Sequence, residues 1–540
     1  NILGKEGIGI NDNFFDLGGH SLKATRLVSQ IHRVFEVKVS LRDLFNHMVL
    51  EDQSRLIDNA VKTAYHTIPE VAASPDYPLS LSQRRLWILS QLSEANVAYN
   101  MPAAYHIYGD LDLDSFKESF NWLVTRHEIL RTTFKLSDSG DPIQIVHKQD
   151  EFCLDINEID YSTLPDQAAA CKLLVDENIN YLFDLEKGPL LRVQLIKLER
   201  QKILFLINIH HIIFDGWSLN ILVNELLTAY YHKCRKKEIN IKPLRIQYKD
   251  YAVWQTKMIS GNKLDNMVRY WKERLGSPLP ILNLPLDFKR PDHQSFTGGA
   301  FQFSLSEDLS QKLLKMSQDY QITLFSLMFA AYNALLYKIT GQTTIIIGTS
   351  VIGRNHPDLD PLIGFFINTM AVKTDMTPSE SFKDLAKKIN NSLLADYENQ
   401  EIPFDMLLQY LDIDRNLSVT PVFQSRFVFN DLDANKLPEI AQGNDQIVFA
   451  EIPAALNRAK FELTTNIHKA GNVIKGVMEY RVDLFLEKSI DRISKQFINL
   501  LEDITSSEDQ ALYSLKISRE RDPLDKKSSM KEMLMSKKYL

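Results

Sequence analysis

Residues 208–218 read Asn-Ile-His-His-Ile-Ile-Phe-Asp-Gly-Trp-Ser, directly after an apolar run from Ile203 to Ile207 that holds neither glycine nor proline. Such a run marks a strand buried on both faces. Two imidazoles stand at its end, with a carboxylate and a glycine just beyond. Side chains alternate along a strand, so His210 and His211 are expected to point to opposite faces, and only one serves a given cleft. Asp215 falls in the turn before a helical pattern that starts near Trp217. A buried carboxylate without a partner is costly, so a cation is expected from elsewhere in the chain. Two readings are open here. In one, a histidine packs in the core and Asp215 merely caps the next helix. In the other, the strand end is a chemical site, and the order strand, His-His, Asp-Gly, helix favours it.

Composition narrows the class. The chain has 540 residues, too many for one ordinary core, so two or three domains are expected. It is 44% hydrophobic and 24% charged, as a soluble globular protein is. A formal net charge of −7 argues against nucleic acid as a partner. The three cysteines, Cys153, Cys171 and Cys234, lack metal-ligand spacing. Neither a metal site nor a disulfide framework is expected, and a reducing compartment fits. The longest apolar stretch, Leu324 to Tyr337, falls short of the roughly 20 residues that span a bilayer. No secretory signal is visible, so no membrane partner is expected and the cytoplasm is the default location.

Outward from the motif, the chain divides into unlike parts. Residues 1–62 look like a small α-helical bundle. From Ser21 the apolar positions Leu27, Val28, Ile31, Val34 and Phe35 fall on one helical face. Ser40 announces a short capped helix, and residues 51–62 another. Ser21 is a good helix N-cap by itself. Gly18 and Gly19 would also leave its hydroxyl open, with a helix N-terminus behind it that favours an attached phosphate. Residues 63–77, with Pro69 and Pro75, show no period and read as a linker. Residues 78–250 and 251–518 read as two α/β lobes, and 519–540 as a tail or linker. In the first lobe the expected elements are strands near 105–108, 130–134, 190–198 and 202–211, with helices at 113–128, 166–180 and 217–232. In the second they are strands near 300–304, 343–351, 423–430, 461–468 and 474–482, with helices near 323–338, 380–397 and 486–503. Ile363-Gly-Phe-Phe-Ile-Asn-Thr reads as a buried strand or latch.

Two motifs carry a resemblance. His-His-Ile-Ile-Phe-Asp-Gly at 210–216 resembles the active-site motif of condensation domains in nonribosomal peptide synthetases. Asp-Asn-Phe-Phe-Asp-Leu-Gly-Gly-His-Ser-Leu at 12–22 resembles that of peptidyl carrier (thiolation) domains. Further blocks in the condensation family's order cover about residues 78–515: Leu79 to Trp87, Arg126 to Phe134, Tyr248 to Gln255, Ile363 to Thr369, Gln400 to Asp405 and Arg415 to Ser418. The resemblance implies a multidomain chain, with a carrier bundle ahead of two chloramphenicol-acetyltransferase-like lobes in a V. It implies that Ser21 carries covalent 4′-phosphopantetheine holding a donor aminoacyl or peptidyl thioester. His211 would serve the amine of an acceptor thioester, as general base or by orienting it. Gly216 would lie near the oxyanion, and Asp215 would pair with an arginine of the other lobe, for which Arg354 is the choice. His210 reads as a core histidine, and Arg126, His127 and Glu128 as structural. Implied partners are a downstream peptidyl carrier, an adenylation domain and a phosphopantetheinyl transferase. One departure is that the carrier family's first helix is mostly missing, as if the chain were cut from a longer polypeptide.

Other readings stay open at this stage. Epimerisation domains share the His-His motif but usually have Ser-Trp after the Asp, where this chain has Gly216-Trp217-Ser218. Heterocyclisation relatives replace both histidines, and recruitment relatives lose the second. The opening block looks like the subtype that joins an L-donor to an L-acceptor. A non-catalytic scaffold that docks carriers is a second class, and an acyltransferase using free coenzyme A is a third. The fused carrier argues against the last, since tethering already raises the donor to roughly millimolar effective concentration.

Overall fold

The computed structural model describes residues 2–518 except 20, 92, 414–417, 431–439, 443, 444, 453–457 and 508. The tail at 519–540 and most of the Arg415 block lie outside the described residues.

The strand Lys202–His210 forms as expected, and every residue from Ile203 to His210 is buried. It pairs antiparallel with Asn100–Tyr108 on one side and Leu191–Glu199 on the other. Antiparallel strands often show one face to water. Here both faces are covered. Helices Leu113–Arg126 and Gly216–Cys234 pack together over one face, and Gln167–Ile179 covers the other. The strand ends one residue sooner than the expected 202–211. His211 opens a short 3-10 turn, His211–Ile213: its own N–H still reaches the Tyr99 carbonyl across the ladder at 2.9 Å, but its carbonyl accepts the Phe214 N–H at 3.1 Å and the chain bends away.

The second lobe is built on a six-stranded sheet of spatial order Asn368–Asp375, Thr344–Val351, Ser425–Asn430, Leu463–Ala470, Val473–Arg481 and Gly298–Ser304. Its central helix, Leu324–Thr340, is almost wholly apolar and buried. Thr323 caps it, and Gly341 ends it in the left-handed conformation at φ 73°. Among the described residues no single helix is long and apolar enough to cross a membrane. The helix pair Glu307–Asp319 and Leu324–Thr340 is apolar enough only when taken together; it bends by 108°, and its central helix is core.

Two features of the lobes were not expected. Strand Asp445–Glu451, late in the chain, leaves the second lobe and pairs antiparallel with Asn100–Tyr108 in the first lobe's sheet. Helices Tyr248–Met258, Gly261–Leu275 and Glu307–Asp319, and strands Pro142–Val146 and Ile156–Asp160, also form where no element was read.

The N-terminal bundle has helices Ser21–Phe35, Leu41–Asn46 and Leu50–Asn59. Ser40 and Asp43 make a reciprocal capping box, Ser40 Oγ accepting the Asp43 N–H at 3.0 Å. The inward face differs from the expectation at its end. Ile31 is buried, but Val34 is 66% and Phe35 47% exposed. Val37 and Val39, in the segment after the helix, fill the space against Ile31 instead. Phe14, Leu41, Leu44 and Phe45 form one continuous apolar cluster with the second lobe's core, so the bundle sits on that lobe. The 63–77 segment is fastened too. The Ile68 N–H donates to Asp358 at 3.1 Å, the Val71 N–H to Asp250 at 2.9 Å, and Tyr65 stacks on His356.

Candidate active site

His210 and His211 diverge, His210 as the last residue of the strand and His211 as the first of the 3-10 turn. His210 is buried beside Phe183, and its Nδ1 accepts the Ile212 N–H at 3.2 Å. It therefore supports the turn. His211 turns the other way, towards Tyr99 and edge-on to Phe365 of the second lobe, with ring centroids 5.0 Å apart. Its Nδ1 lies 2.7 Å from the Phe214 carbonyl, which can only accept. The proton is thus on Nδ1, and Nε2 carries the lone pair. Burial, aided by the positive charge of Lys460, pushes the His211 pKa down to about 3, so the ring is neutral. Burial pushes His210 to about 3 as well. The turn is held from outside by Gln83, which donates to the Ile212 carbonyl at 3.0 Å from a helix capped by Ser80.

Asp215 is 1% exposed and is both helix cap and ion-pair partner. Its Oδ1 accepts the Ser218 N–H at 2.8 Å and hydroxyl at 2.7 Å, and its Oδ2 accepts the Phe366 N–H at 3.0 Å. The expected cation is present. Arg354 Nη2 stands 3.5 Å from Asp215 Oδ1 and 3.0 Å from Ser218 Oγ. Arg354 is no solvated loop cation: its side chain is 2% exposed, lies over the Phe366 ring and donates to the Leu359 and Leu362 carbonyls. Gly216 opens the following helix and is exposed.

The stretch 363–367 proves to be a latch, and its strand begins only at Asn368. The reason is where its backbone bonds go. The Gly364 N–H donates to Ser218 Oγ at 3.1 Å, the Gly364 carbonyl lies 2.9 Å from that oxygen and shares its one O–H with Asp215, and the Phe365 carbonyl accepts from Tyr248 at 2.6 Å. Side chains of the first lobe thus replace the neighbouring strand. Arg126 and His127 both bind Glu225, and Glu128 binds Lys249, so these three are structural.

The second lobe adds a group that sequence reasoning missed. Arg426, Thr464 and Glu479 stand in one row across three neighbouring strands, on the face opposite the buried Phe427, Leu463 and Met478. Arg426 donates to Ser350 Oγ, and Glu479 accepts from Asn466 at 2.9 Å. Lys460 Nζ lies 4.3 Å from the Tyr99 ring centre, and Tyr99 lies edge-on to His211. Burial, with help from Arg426, brings Lys460 down to about 7, while burial raises Glu479. The signal was weak: Arg426 stands between Ser425 and the Phe427-Val428-Phe429 run, and Glu479 shares its strand with Lys475 and Arg481.

Ser21 is the first residue of its helix. Beside it, a cavity of about 670 Å³ opens between the bundle and the second lobe. Gly18, Gly19 and Lys23 line one side, and Phe325, Thr349 and Ser350 the other. A helix N-terminus, a nearby ammonium and a long cavity suit an anionic group on an extended arm.

Comparison with known proteins agrees. The condensation-domain profile matches residues 73–523, and the phosphopantetheine attachment site profile matches residues 1–57. One of the linear gramicidin synthase proteins of Brevibacillus parabrevis is 37% identical over 516 residues, 95% of this chain and 10% of that protein. Tyrocidine synthase 3 of Brevibacillus parabrevis is 35% identical over 521 residues, 96% of this chain and 8% of that protein. The chain thus spans a small part of the relatives it matches. Among solved structures, the X-domain from teicoplanin biosynthesis superposes with a TM-score of 0.75 at 22% identity, covering 84% of this chain and all of that one. The first condensation domain of the calcium-dependent antibiotic synthetase, in complex with a substrate analogue, gives 0.66 at 14%, covering 82% and 100%. These two share the fold.

Such a two-lobed fold, preceded by a carrier, defines a class of acyl- and peptidyl-transferring enzymes. The chain belongs to the condensation-domain family of nonribosomal peptide synthetases, with a phosphopantetheine-bearing carrier domain in front.

Proposed function

We propose that the chain forms a peptide bond between a donor held on Ser21 and the amine of an acceptor held on a downstream carrier, with His211 serving that amine. The observation that carries this reading is His211 itself, its Nδ1 fixed 2.7 Å from the Phe214 carbonyl and its ring edge-on to Phe365 of the second lobe, the lobe on which the carrier bundle sits. The cavity beside Gly18 and Gly19 is also lined by Ser350, which accepts from Arg426.

The phosphopantetheine arm supplies a terminal thiol on which an acyl group rides as a thioester. A thioester is already activated, so the protein's task is placement. Neutral His211, its Nδ1–H fixed on Phe214, offers Nε2 to the incoming amine as hydrogen-bond acceptor or base. The half-buried cations Lys460 and Arg426 disfavour an ammonium beside them, which keeps the amine in its nucleophilic form. Asp215 and Arg354 position the turn. Gly216, at a helix N-terminus, is the candidate donor to the developing oxyanion. His210 supports and does not react.

The reading takes 1–62 as carrier, 63–77 as linker and 78–250 with 251–518 as the two lobes. Its partners are the acceptor carrier, an adenylation domain and a phosphopantetheinyl transferase, in the cytoplasm. It favours the L-donor, L-acceptor subtype. Loading Ser21 with an L- or a D-aminoacyl group and adding a soluble L-aminoacyl thioester tests this. Dipeptide from the L-donor supports the reading. Inversion of the loaded residue without dipeptide supports an epimerase, and neither product supports a scaffold.

A further inference from the structure

Five residues after Ser21, Arg26 leaves the carrier helix and grips the condensation domain. Its Nε lies 2.9 Å from Asp360 Oδ2, and its guanidinium carbon is 5.7 Å from the centre of the Trp217 ring. One turn further on, Ser29 Oγ donates to the Asn355 carbonyl at 3.2 Å. Both acceptors sit in the 352–362 loop. That loop folds around Arg354, which holds the Leu359 and Leu362 carbonyls on either side of Asp360. Trp217 is two residues past Asp215. The carrier contact and the buried Asp215–Arg354 pair therefore share both of their supporting segments. Arg26, Trp217, Gly353, Arg354 and Asp360 line one small cavity. Gly353 has φ 69°, and a Cβ there would overlap the Phe366 carbonyl, so the loop is tightly specified.

We propose that Arg26, seated on Asp360 and Trp217, is the latch by which this condensation domain recognises a carrier as its donor. The partner it fits is a carrier helix with a guanidinium five residues beyond the attachment serine. The inference rests on the reading of Ser21 as donor site. At 1.5 Å rise per residue, Arg26 lies about 8 Å along the helix from Ser21, close enough to fix the direction in which an arm leaves it. The pair is also suited to release. Arg26 is 37% exposed and Asp360 14% exposed, and such rim pairs set orientation and partner choice more than raw affinity. Arg26 is a positioning residue, since it touches no reacting atom.

The test compares two donors in the full chain. One is an aminoacyl group loaded on Ser21, the other a soluble aminoacyl-pantetheine given to unloaded protein, each with the same soluble acceptor. Arg26→Glu places like charges together and is expected to slow transfer from Ser21 about tenfold or more, because like-charge contacts cost several kcal/mol. Transfer from the soluble donor stays within twofold. Asp360→Arg alone also slows transfer from Ser21, and the double exchange restores the Ser21-borne rate. In unloaded Arg26→Glu protein, amide exchange of residues 355–362 quickens. An unchanged Ser21-borne rate in Arg26→Glu, an equal fall with both donors, or no rescue in the double variant each overturns the latch. If the wild type makes no peptide from either donor, it is the proposed function that fails.

Discussion

Arg354 of the second lobe and Asp215 of the first meet at 3.5 Å with both side chains 2% exposed, and Ser218 Oγ bridges them at 3.0 Å from the guanidinium. The pair lies directly behind the His211 turn. Breaking a buried pair by removing one partner strands a charge and costs about 3–5 kcal/mol. Arg354→Met is expected to lose that much in urea denaturation and to lose transfer activity with it. A loss under about 1 kcal/mol would show that Asp215 is satisfied by its helix alone.

Ser218 should matter beyond its size. Its hydroxyl serves Asp215, both backbone groups of Gly364 and Arg354. Ser218→Ala leaves the Gly364 groups without partners, at about 1–3 kcal/mol. Amide exchange at 363–367 is expected to accelerate selectively. Uniform acceleration across both lobes would contradict the latch.

The neutral histidines predict a pH dependence. His210 and His211 fold with pKa values near 3, below the unfolded value of about 6.5. Below about pH 6.5 the unfolded chain therefore binds more protons, and this contribution to stability falls steadily as pH drops. Half-buried carboxylates such as Glu479 and Asp405, with raised pKa values, act in the opposite sense. The clean measurement is a difference: the slope of stability between about pH 5 and 6.5 should be shallower in His210→Asn than in wild type. Equal slopes would mean that His210 is protonated when folded.

Lys460 should tune His211. Its charge helps to keep the imidazole unprotonated, so Lys460→Gln is expected to raise the His211 pKa, read by nitrogen NMR of the ring. A shift downward, or none, would remove Lys460 from the site.

Much of this was legible locally. The Ile203–Ile207 run, the Ser40 cap and the turn before Trp217 are short-range signals, and each forms the element it announces. Arg354 came from the family resemblance, which implies an arginine of the other lobe; the residues alone said only that a buried Asp215 requires a cation. What escaped notice was non-local. The 363–367 stretch reads as a strand or a latch, and only its bonds to Ser218 and Tyr248, more than a hundred residues away, decide for the latch. Asp445–Glu451 pairs with Asn100–Tyr108 across most of the chain, and no local pattern encodes that. Val34 and Phe35 continue the apolar face of their helix, but Val37 and Val39 take the space they would have filled. Lys460 gathers with Tyr99 and Arg426 from three distant segments, so only the folded chain places it beside His211.

The most direct test of the central claim is intact-protein mass spectrometry of a single turnover. Wild type, Ser21→Ala and His211→Ala proteins are treated with a phosphopantetheinyl transferase and an aminoacyl-coenzyme A, then with a soluble aminoacyl thioester. The account predicts that wild type gains the acyl-pantetheine mass at Ser21 and loses the acyl group as dipeptide appears. It predicts that His211→Ala loads fully but transfers roughly a hundredfold more slowly or worse, and that Ser21→Ala never loads. Full-speed transfer by His211→Ala, or loading without Ser21, would contradict it.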